Sequence, residues 1–253
     1  MPIKHISIFG DTPLVMEYAS LCLHEKIHVS LRANPSGAQQ AGKKLPQIPR
    51  GAKRVPKPVK NVGLALELSN LSLDEKRKNL IELDKVLPSK VSIISSSVTV
   101  SVTEQSGWIS KPERLIGIGA LPTLLQGSLI ELALSFKTSE ATLQAARDFA
   151  GAIGKDAAVV QDSVGMVLPR ILCALANEAY FAMMEGVAAG GDIDTAMKLG
   201  TNYPHGPVEW AERIGIRQVF AVVAALHMSF GEDRYRPAPS LHVATLRDGL
   251  PAR

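Results

Sequence analysis

The sequence predicts an α/β domain followed by an all-helical one, on three observations. Up to Asp162, short apolar runs of strand character alternate with longer stretches of helical periodicity. From Met166 onward apolar residues recur only at helical spacing, with no strand-like run between them. The length, 253 residues of which 46% are apolar, suffices for two modest cores. The predicted boundary separates residues 1–162 from 163–253.

The first domain opens with "HISIFGD", "TPLVMEYASLCLHEK" and "IHVSLR", a strand, helix and strand that form a βαβ unit of nucleotide-binding type. Next, the segment from Lys43 to Lys60 carries seven basic residues, no acid and four prolines. Without those seven charges the chain's net +4 becomes −3, so the basicity is local. Proline makes the segment extended rather than a recognition helix, and no nucleic-acid partner is expected. It reads as a solvated loop or as a grip on a nucleotide phosphate, with Lys53 and Arg54 as candidate substrate contacts.

"NVGLALEL" predicts another strand, "SLDEKRKNLIELDKVL" a helix entered through Ser72 or Asp74, and "KVSIISSS" a further strand. Such alternation predicts a parallel sheet covered on both faces. "RLIGIGALP" and "SLIELALS" are strands, "TSEATLQAARDFAGAIG" a helix closed near Gly154, and "AAVVQDSVG" ends the domain.

In the second domain, the most apolar stretch, Val164 to Val187, is interrupted by Arg170, Asn177, Glu178 and Glu185. That pattern predicts a buried helix and not a membrane span. Its stripe of Leu172, Leu175, Ala176, Ala179 and Met183 is expected to form a dimer interface. Cys22 and Cys173 lie in apolar surroundings and read as core residues. The histidines show no ligand spacing, so no metal site is expected. The chain starts with strand-like alternation in place of a leader pattern, which gives the cytoplasm as the expected location.

"GDIDTAMKLGTNYPHGPVEWAERIG" predicts a short helix capped by Asp192 or Asp194 and stopped at Gly200, a Pro/Gly turn, and another helix. This phrase resembles the signature of the 3-hydroxyacyl-CoA dehydrogenase family, which includes 3-hydroxybutyryl-CoA dehydrogenases. "KPERLIG", "IEL", "TSEAT", "DSVGMVLPR" and "ANEA" match the family in order and spacing, so the resemblance covers nearly the whole chain. It implies a Rossmann-type domain that binds NAD, a helical domain that builds a homodimer, and an active site between them. The implied chemistry is hydride transfer between nicotinamide and the 3-hydroxyl of an acyl-CoA. A histidine serves there as base and a glutamate orients it.

Against that pattern, Glu131 stands at the orienting glutamate and Gly119 at the catalytic histidine. Pro169 replaces an asparagine that would meet the substrate carbonyl, and Val98 replaces a serine, with Ser97 and Thr99 beside it. A dinucleotide fingerprint needs three glycines, yet "GDTPLV" keeps only Gly10, with Thr12 and Val15 at the other two positions. Asp11 adds a negative charge there and Pro13 removes an N–H donor. Arg32 stands where the family has an acid for the ribose, which alone would suit NADP; with the altered turn, loss of dinucleotide binding is the more economical account. The segment from Arg32 to Val62 is also short, lacking the helical hairpin that helps hold CoA in the family.

The candidate residues are Glu131 and His205 for catalysis, Gly10 and Arg32 for a cofactor (NAD or NADP), and Ser97, Lys53 and Arg54 for substrate. Glu131 reads equally as a relic or a structural acid, and His205 as a substitute base or a turn residue. The leading expectation is a degenerate Rossmann-type domain plus a helical dimerisation domain, with dehydrogenase activity weak or lost, kept as an acyl-CoA- or partner-binding protein. One alternative is an active NAD(P)-dependent enzyme with a relocated base, either His205 with Glu131 or a serine hydroxyl near Ser97. Another is a structural dimeric subunit without ligand.

Overall fold

The structure, a computed structural model, describes residues 3–34 and 47–247. The basic residues Lys43 and Lys44 lie outside the described residues. The chain divides into two compact units, Met1–Met166 and Val167–Arg253, a few residues beyond the predicted boundary.

In the first unit, β1 (His5–Gly10), β2 (His28–Ala33), β3 (Lys53–Arg54), β4 (Leu64–Leu68), β5 (Ser92–Ser96), β6 (Leu115–Ile118), β7 (Leu129–Ala133) and β8 (Asp156–Val160) form one sheet. Their spatial order is β3-β2-β1-β4-β5-β6-β7-β8. From β3 to β6 all pairs are parallel. The predicted parallel sheet is extended at one edge, where β7 runs antiparallel to β6 and β8 follows β7. The physical reason is the connection, since a short loop joins β6 to β7 where a parallel return would need a crossover of a dozen or more residues.

Among the described residues of the unit, the α-helices are α1 (Thr12–His24), α2 (Leu73–Val86), α3 (Val102–Ser106) and α4 (Glu140–Ala152). Strand alternation divides the core. Ile6, Ile8, Leu64 and Leu66 pack on one face with Tyr18 of α1 and Phe149 of α4. Phe9, Ala65 and Ile93 pack on the other with Leu80 and Leu83 of α2. Of the two predicted caps for α2 it is Ser72 that serves, its hydroxyl accepting from Glu75 N, and Ser139 caps α4 in the same way. Cys22 and Cys173 are buried free thiols.

The second unit holds α5 (Leu168–Met184), α6 (Gly190–Thr201), α7 (Pro207–Ile214), α8 (Ile216–Phe230) and α9 (Pro239–Arg247). No helix of the described residues is long and apolar enough to cross a membrane. Two expectations are corrected. Leu172, Ala176 and Ala179 are buried within the unit itself, so that stripe of α5 serves largely as core. The reason is that α7, α8 and α9 pack upon α5. Asn177 of α5 also ties α9 down, donating to Arg236 O at 2.9 Å and accepting from Ala238 N at 2.8 Å.

The second correction concerns α6, which begins after Ala189 and runs past Gly200 to Thr201, ending at Asn202 in left-handed conformation. Asp194 caps a different helix from the one predicted. Its carboxylate accepts from Val208 N and Glu209 N, at 2.8 and 3.0 Å, and so fixes the start of α7.

Candidate functional site at the strand ends

In parallel α/β sheets ligands bind beyond the carboxyl ends of the strands, beside the first βα turn. In this chain those ends are joined to one another by side chains. Gly10, at the close of β1, has φ +145°, and a Cβ there would lie 2.4 Å from the carbonyl carbon of Leu68. Its glycine is therefore required by the approach of β1 to β4, whatever else the turn does.

Asp11 makes no side-chain cap to α1, although it precedes that helix. Its Oδ2 accepts instead from Asn70 N at 2.7 Å and Leu71 N at 3.0 Å, in the turn after β4. Asn70 donates to Ala120 O at 2.9 Å, beyond β6, and accepts from Ser96 Oγ at 2.6 Å. Asn34, following β2, donates to Ser69 Oγ at 2.6 Å.

Beneath this layer lies a buried ion pair, Glu67 of β4 with Lys76 of α2. Lys76 Nζ also donates to Ser96 O (2.9 Å) and Ser95 Oγ (3.2 Å), while Asn79 Nδ2 reaches Glu67 Oε1 and Ser69 Oγ. Buried charges persist where they are paired and hydrogen-bonded, and such a satisfied network is rigid. These residues were missed from the sequence. The available signal was a carboxylate inside an otherwise apolar strand, "LALEL", with a lysine on the following helix.

A dinucleotide pyrophosphate would meet this chain at the start of α1, which Asp11 precedes and Pro13 enters. That group needs free N–H donors and close backbone approach. The Asp11 carboxylate turns away from those first N–H groups to Asn70 N and Leu71 N, Pro13 offers no donor, and Gly10 packs against the Leu68 backbone.

The second predicted focus lies where β6 meets β7. Gly119 N donates to Glu131 O at 3.0 Å. A Cβ built at Gly119 would stand 3.4 Å from Glu131 Oε2 and 3.4 Å from Met166 Sδ. Met166, buried and with φ 49°, closes that space together with the carboxylate. The loop after Gly119 is held from α1, where both carboxylate oxygens of Glu17 accept from Thr123 N, at 2.9 and 3.1 Å. Burial pushes the Glu17 carboxyl above its ordinary pKa, outweighing that hydrogen bond.

Other predicted residues find different partners. Ser97 is fully buried and accepts from Gln105 Nε2 at 3.1 Å. Lys53 and Arg54 are exposed and form the edge strand β3, so this part of the basic segment is sheet rather than loop. The backbone pairing with β2 accounts for it.

Arg32 stacks over Phe9, 4.2 Å from the ring centre. It donates to Pro56 O and Asn79 Oδ1, both at 2.8 Å, and pairs with Glu82 at 2.7 Å. His205 pairs through Nδ1 with Glu209 at 2.5 Å, and its ring meets Trp210 edge to face at 4.8 Å. The carboxylate that holds it is Glu209, in the first turn of α7, which His205 precedes by two residues. Burial works to raise the pKa of Glu209, but hydrogen bonds and charge from His205 and Lys198 hold it below the ordinary range. Among the described residues no cluster of side chains suits a metal ion.

The 3-hydroxyacyl-CoA dehydrogenase NAD-binding domain matches residues 20–163, and the C-terminal domain of the same family matches residues 165–249. The first match begins inside α1, past the altered turn. A 3-hydroxybutyryl-CoA dehydrogenase of Bradyrhizobium diazoefficiens is 34% identical over 178 residues, 70% of this chain and 61% of that relative. A protein named probable 3-hydroxybutyryl-CoA dehydrogenase from Bacillus subtilis is 29% identical over 95% of this chain and 91% of its own length. Among solved structures, (S)-3-hydroxybutyryl-CoA dehydrogenase from Ralstonia eutropha superposes with TM-score 0.77 at 26% identity, covering 97% of this chain and 94% of that one.

Proposed function

Because the chain belongs to the 3-hydroxyacyl-CoA dehydrogenase family, we propose that it is a member whose dehydrogenase activity is weak or lost and which serves as a dimeric acyl-CoA-binding protein of the cytoplasm. One observation carries this reading. At Gly119, where the family resemblance places the base, there is no side chain to take a proton, and Glu131 Oε2 lies 3.4 Å from where one would begin. Loss of a positioned base costs roughly 10²- to 10⁴-fold in rate. The stitched strand ends, with Asp11 across the first turn, add a second obstacle to hydride transfer. The dimer is supported by apolar residues left exposed on the helical unit, among them Ile171, Val187 and Leu246.

A second reading is favoured by one pair. His205 with Glu209 is an imidazole held by a carboxylate, the arrangement that prepares a histidine to accept a proton at its other nitrogen. In that reading the protein is an active NAD(P)-dependent oxidoreductase with His205 as base.

The test is acetoacetyl-CoA reduction with NADH and with NADPH, beside calorimetric binding of acetoacetyl-CoA. Binding with turnover at least about a hundredfold below that of a histidine-bearing relative is the expected result. Turnover near the relative's, abolished by His205→Ala, would establish the second reading. Absence of any ligand binding would leave a structural subunit.

A further inference from the structure

The loop that joins β6 to β7, residues 119–128, is tied down from an element far away in the chain. It begins at Gly119, whose amide donates to Glu131 O at 3.0 Å, and near its end the Gly127 carbonyl accepts from Lys155 Nζ at 2.8 Å. Between these anchors Leu121 is buried, and Leu125 packs against the core cluster that includes Tyr18 of α1 and Ile118 of β6. Ala120 O accepts from Asn70 Nδ2, which joins the loop to the turn after β4. Residues 120–126 are thus a strap laid over apolar core, with a glycine at either end.

The closed strap carries strain. Thr123 has φ 70° and ψ −18°, the left-handed region that a β-branched residue avoids. Its hydroxyl oxygen is buried with no hydrogen-bond partner among the described residues. The strap is held to α1 by Glu17, a half-buried residue whose two carboxyl oxygens share the single N–H of Thr123, at 2.9 and 3.1 Å. One donor for two oxygens supports an ionised carboxylate poorly, since a charge taken from water needs a countercharge or several hydrogen bonds.

No countercharge faces Glu17 among the described residues. The strap, "ALPTLLQ", has no ionisable side chain. On α1, burial keeps Tyr18 and Cys22 neutral, and His24 pairs with Glu25. β1 and β2 pack on α1, but His5 and His28 meet each other edge to face and Arg32 pairs with Glu82. On α4, Arg147 and Asp148 are exposed, and Asp148 accepts from Gln144. Burial and the Thr123 N–H therefore act on the Glu17 carboxyl, and burial, the larger, sets its pKa above the ordinary range.

We propose that residues 120–126 form a proton-tightened strap: with Glu17 neutral it lies closed over the end of β6, and as Glu17 ionises it loosens and bares the apolar surface beneath. Closing moves Glu17 out of water into a site where it keeps its proton more firmly. The closed strap then binds more proton than the open one, so opening becomes easier as pH rises through the Glu17 pKa. A neutral carboxyl still accepts from Thr123 N, so the tie survives protonation. The strap works in this way whether or not the chain binds an acyl-CoA.

Hydrogen exchange of the full chain, read on peptides spanning residues 119–128 and corrected for the intrinsic effect of pH, tests this at about pH 5 and about pH 8. Parent protein is compared with Glu17→Gln, which keeps an acceptor without the charge, and with Thr123→Asn, whose side chain tolerates the left-handed region. In the parent, protection of the strap is expected to fall at least about threefold from the lower to the higher pH while that of β4 is unchanged. Glu17→Gln should protect the strap at both pH values as the parent does at the lower one. Thr123→Asn should raise protection at both and keep the fall.

A parent strap whose protection does not change with pH would overturn the proposal. So would a Glu17→Gln variant that shares the parent's fall, or one that loosens the strap at the lower pH, which would make the charged carboxylate the tie. Should Glu17→Gln not fold, the parent and Thr123→Asn decide, and a flat profile in either overturns the proposal.

Discussion

Gly119 and Glu131 face each other where β6 gives way to its loop and β7 returns beside it. The amide of the first donates to the carbonyl of the second at 3.0 Å, and Glu131 Oε2 stands 3.4 Å from the point where a side chain at 119 would begin. The carboxylate therefore lies within contact distance of any side chain introduced at 119.

A histidine placed at 119 tests whether the base alone limits turnover. Gly119→His is expected to keep acetoacetyl-CoA reduction within about tenfold of the parent, against the 10²- to 10⁴-fold that a positioned base supplies. Crowding against Glu131 and Met166 is expected to lower stability by about 1–3 kcal/mol. Steady-state rates and urea melts of the same preparation read both effects. A hundredfold gain in rate would show that the missing base is the sole obstacle.

Gly10 is the residue on which the β1–β4 approach depends. Gly10→Ala would place a methyl 2.4 Å from the Leu68 backbone at φ +145°. The expected cost is at least about 2 kcal/mol, from overpacking together with backbone strain. Thermal unfolding measures it, and an unchanged midpoint would contradict the packing described.

Asp84 and Arg114 form a second buried pair, Oδ1 to guanidinium at 2.8 Å, with Ser110 donating through N and Oγ to the other oxygen. Burial by itself would raise the Asp84 pKa, but the hydrogen bonds from Ser110 and Arg114 and the guanidinium charge prevail and hold it below the usual carboxylate range. A folded-state pKa lower than the unfolded one means stability that is present above the unfolded value, about 3.9, and lost as pH falls through the folded value. Asp84→Asn should cost about 3 kcal/mol at pH 7, since it leaves Arg114 buried without its partner charge. The gap between parent and variant should narrow below about pH 4. Denaturant melts at pH 7 and pH 3 compare the two, and a gap of equal size at both would count against this role for the carboxylate.

The two thiols should be silent in the native state. Burial pushes the Cys22 thiol up to about 12 and raises that of Cys173 as well, so neither supplies a thiolate at neutral pH. A thiol-specific disulfide reagent is expected to titrate neither in buffer and both in denaturant. Rapid labelling of the folded protein would place at least one of them at the surface.

The elements of the fold were legible because each rests on local chemistry. Alternation such as Ile6, Ile8 against Phe9 assigns two faces to one strand, and Ser72 or Ser139 before a helix satisfies its first N–H groups. That position 119 has no side chain to carry a proton was likewise visible, since it is glycine in any structure. Asp192 and Asp194 were harder to read. Either could cap α6 by position, and only the packing of α7 sent the Asp194 carboxylate to Val208 and Glu209.

What the sequence by itself determined is the order of elements, the two-domain plan and a glycine at 119, all of which depend on residue type and near spacing. What only the tertiary structure decided is the set of partners. Asp11 meets Asn70, Asn70 meets Ala120, and Arg32 meets Glu82, across separations of 59, 50 and 50 residues. A hydrogen bond or ion pair depends on distances of about 3 Å. Spacing along the chain does not set such distances between strands; the register of the folded sheet does.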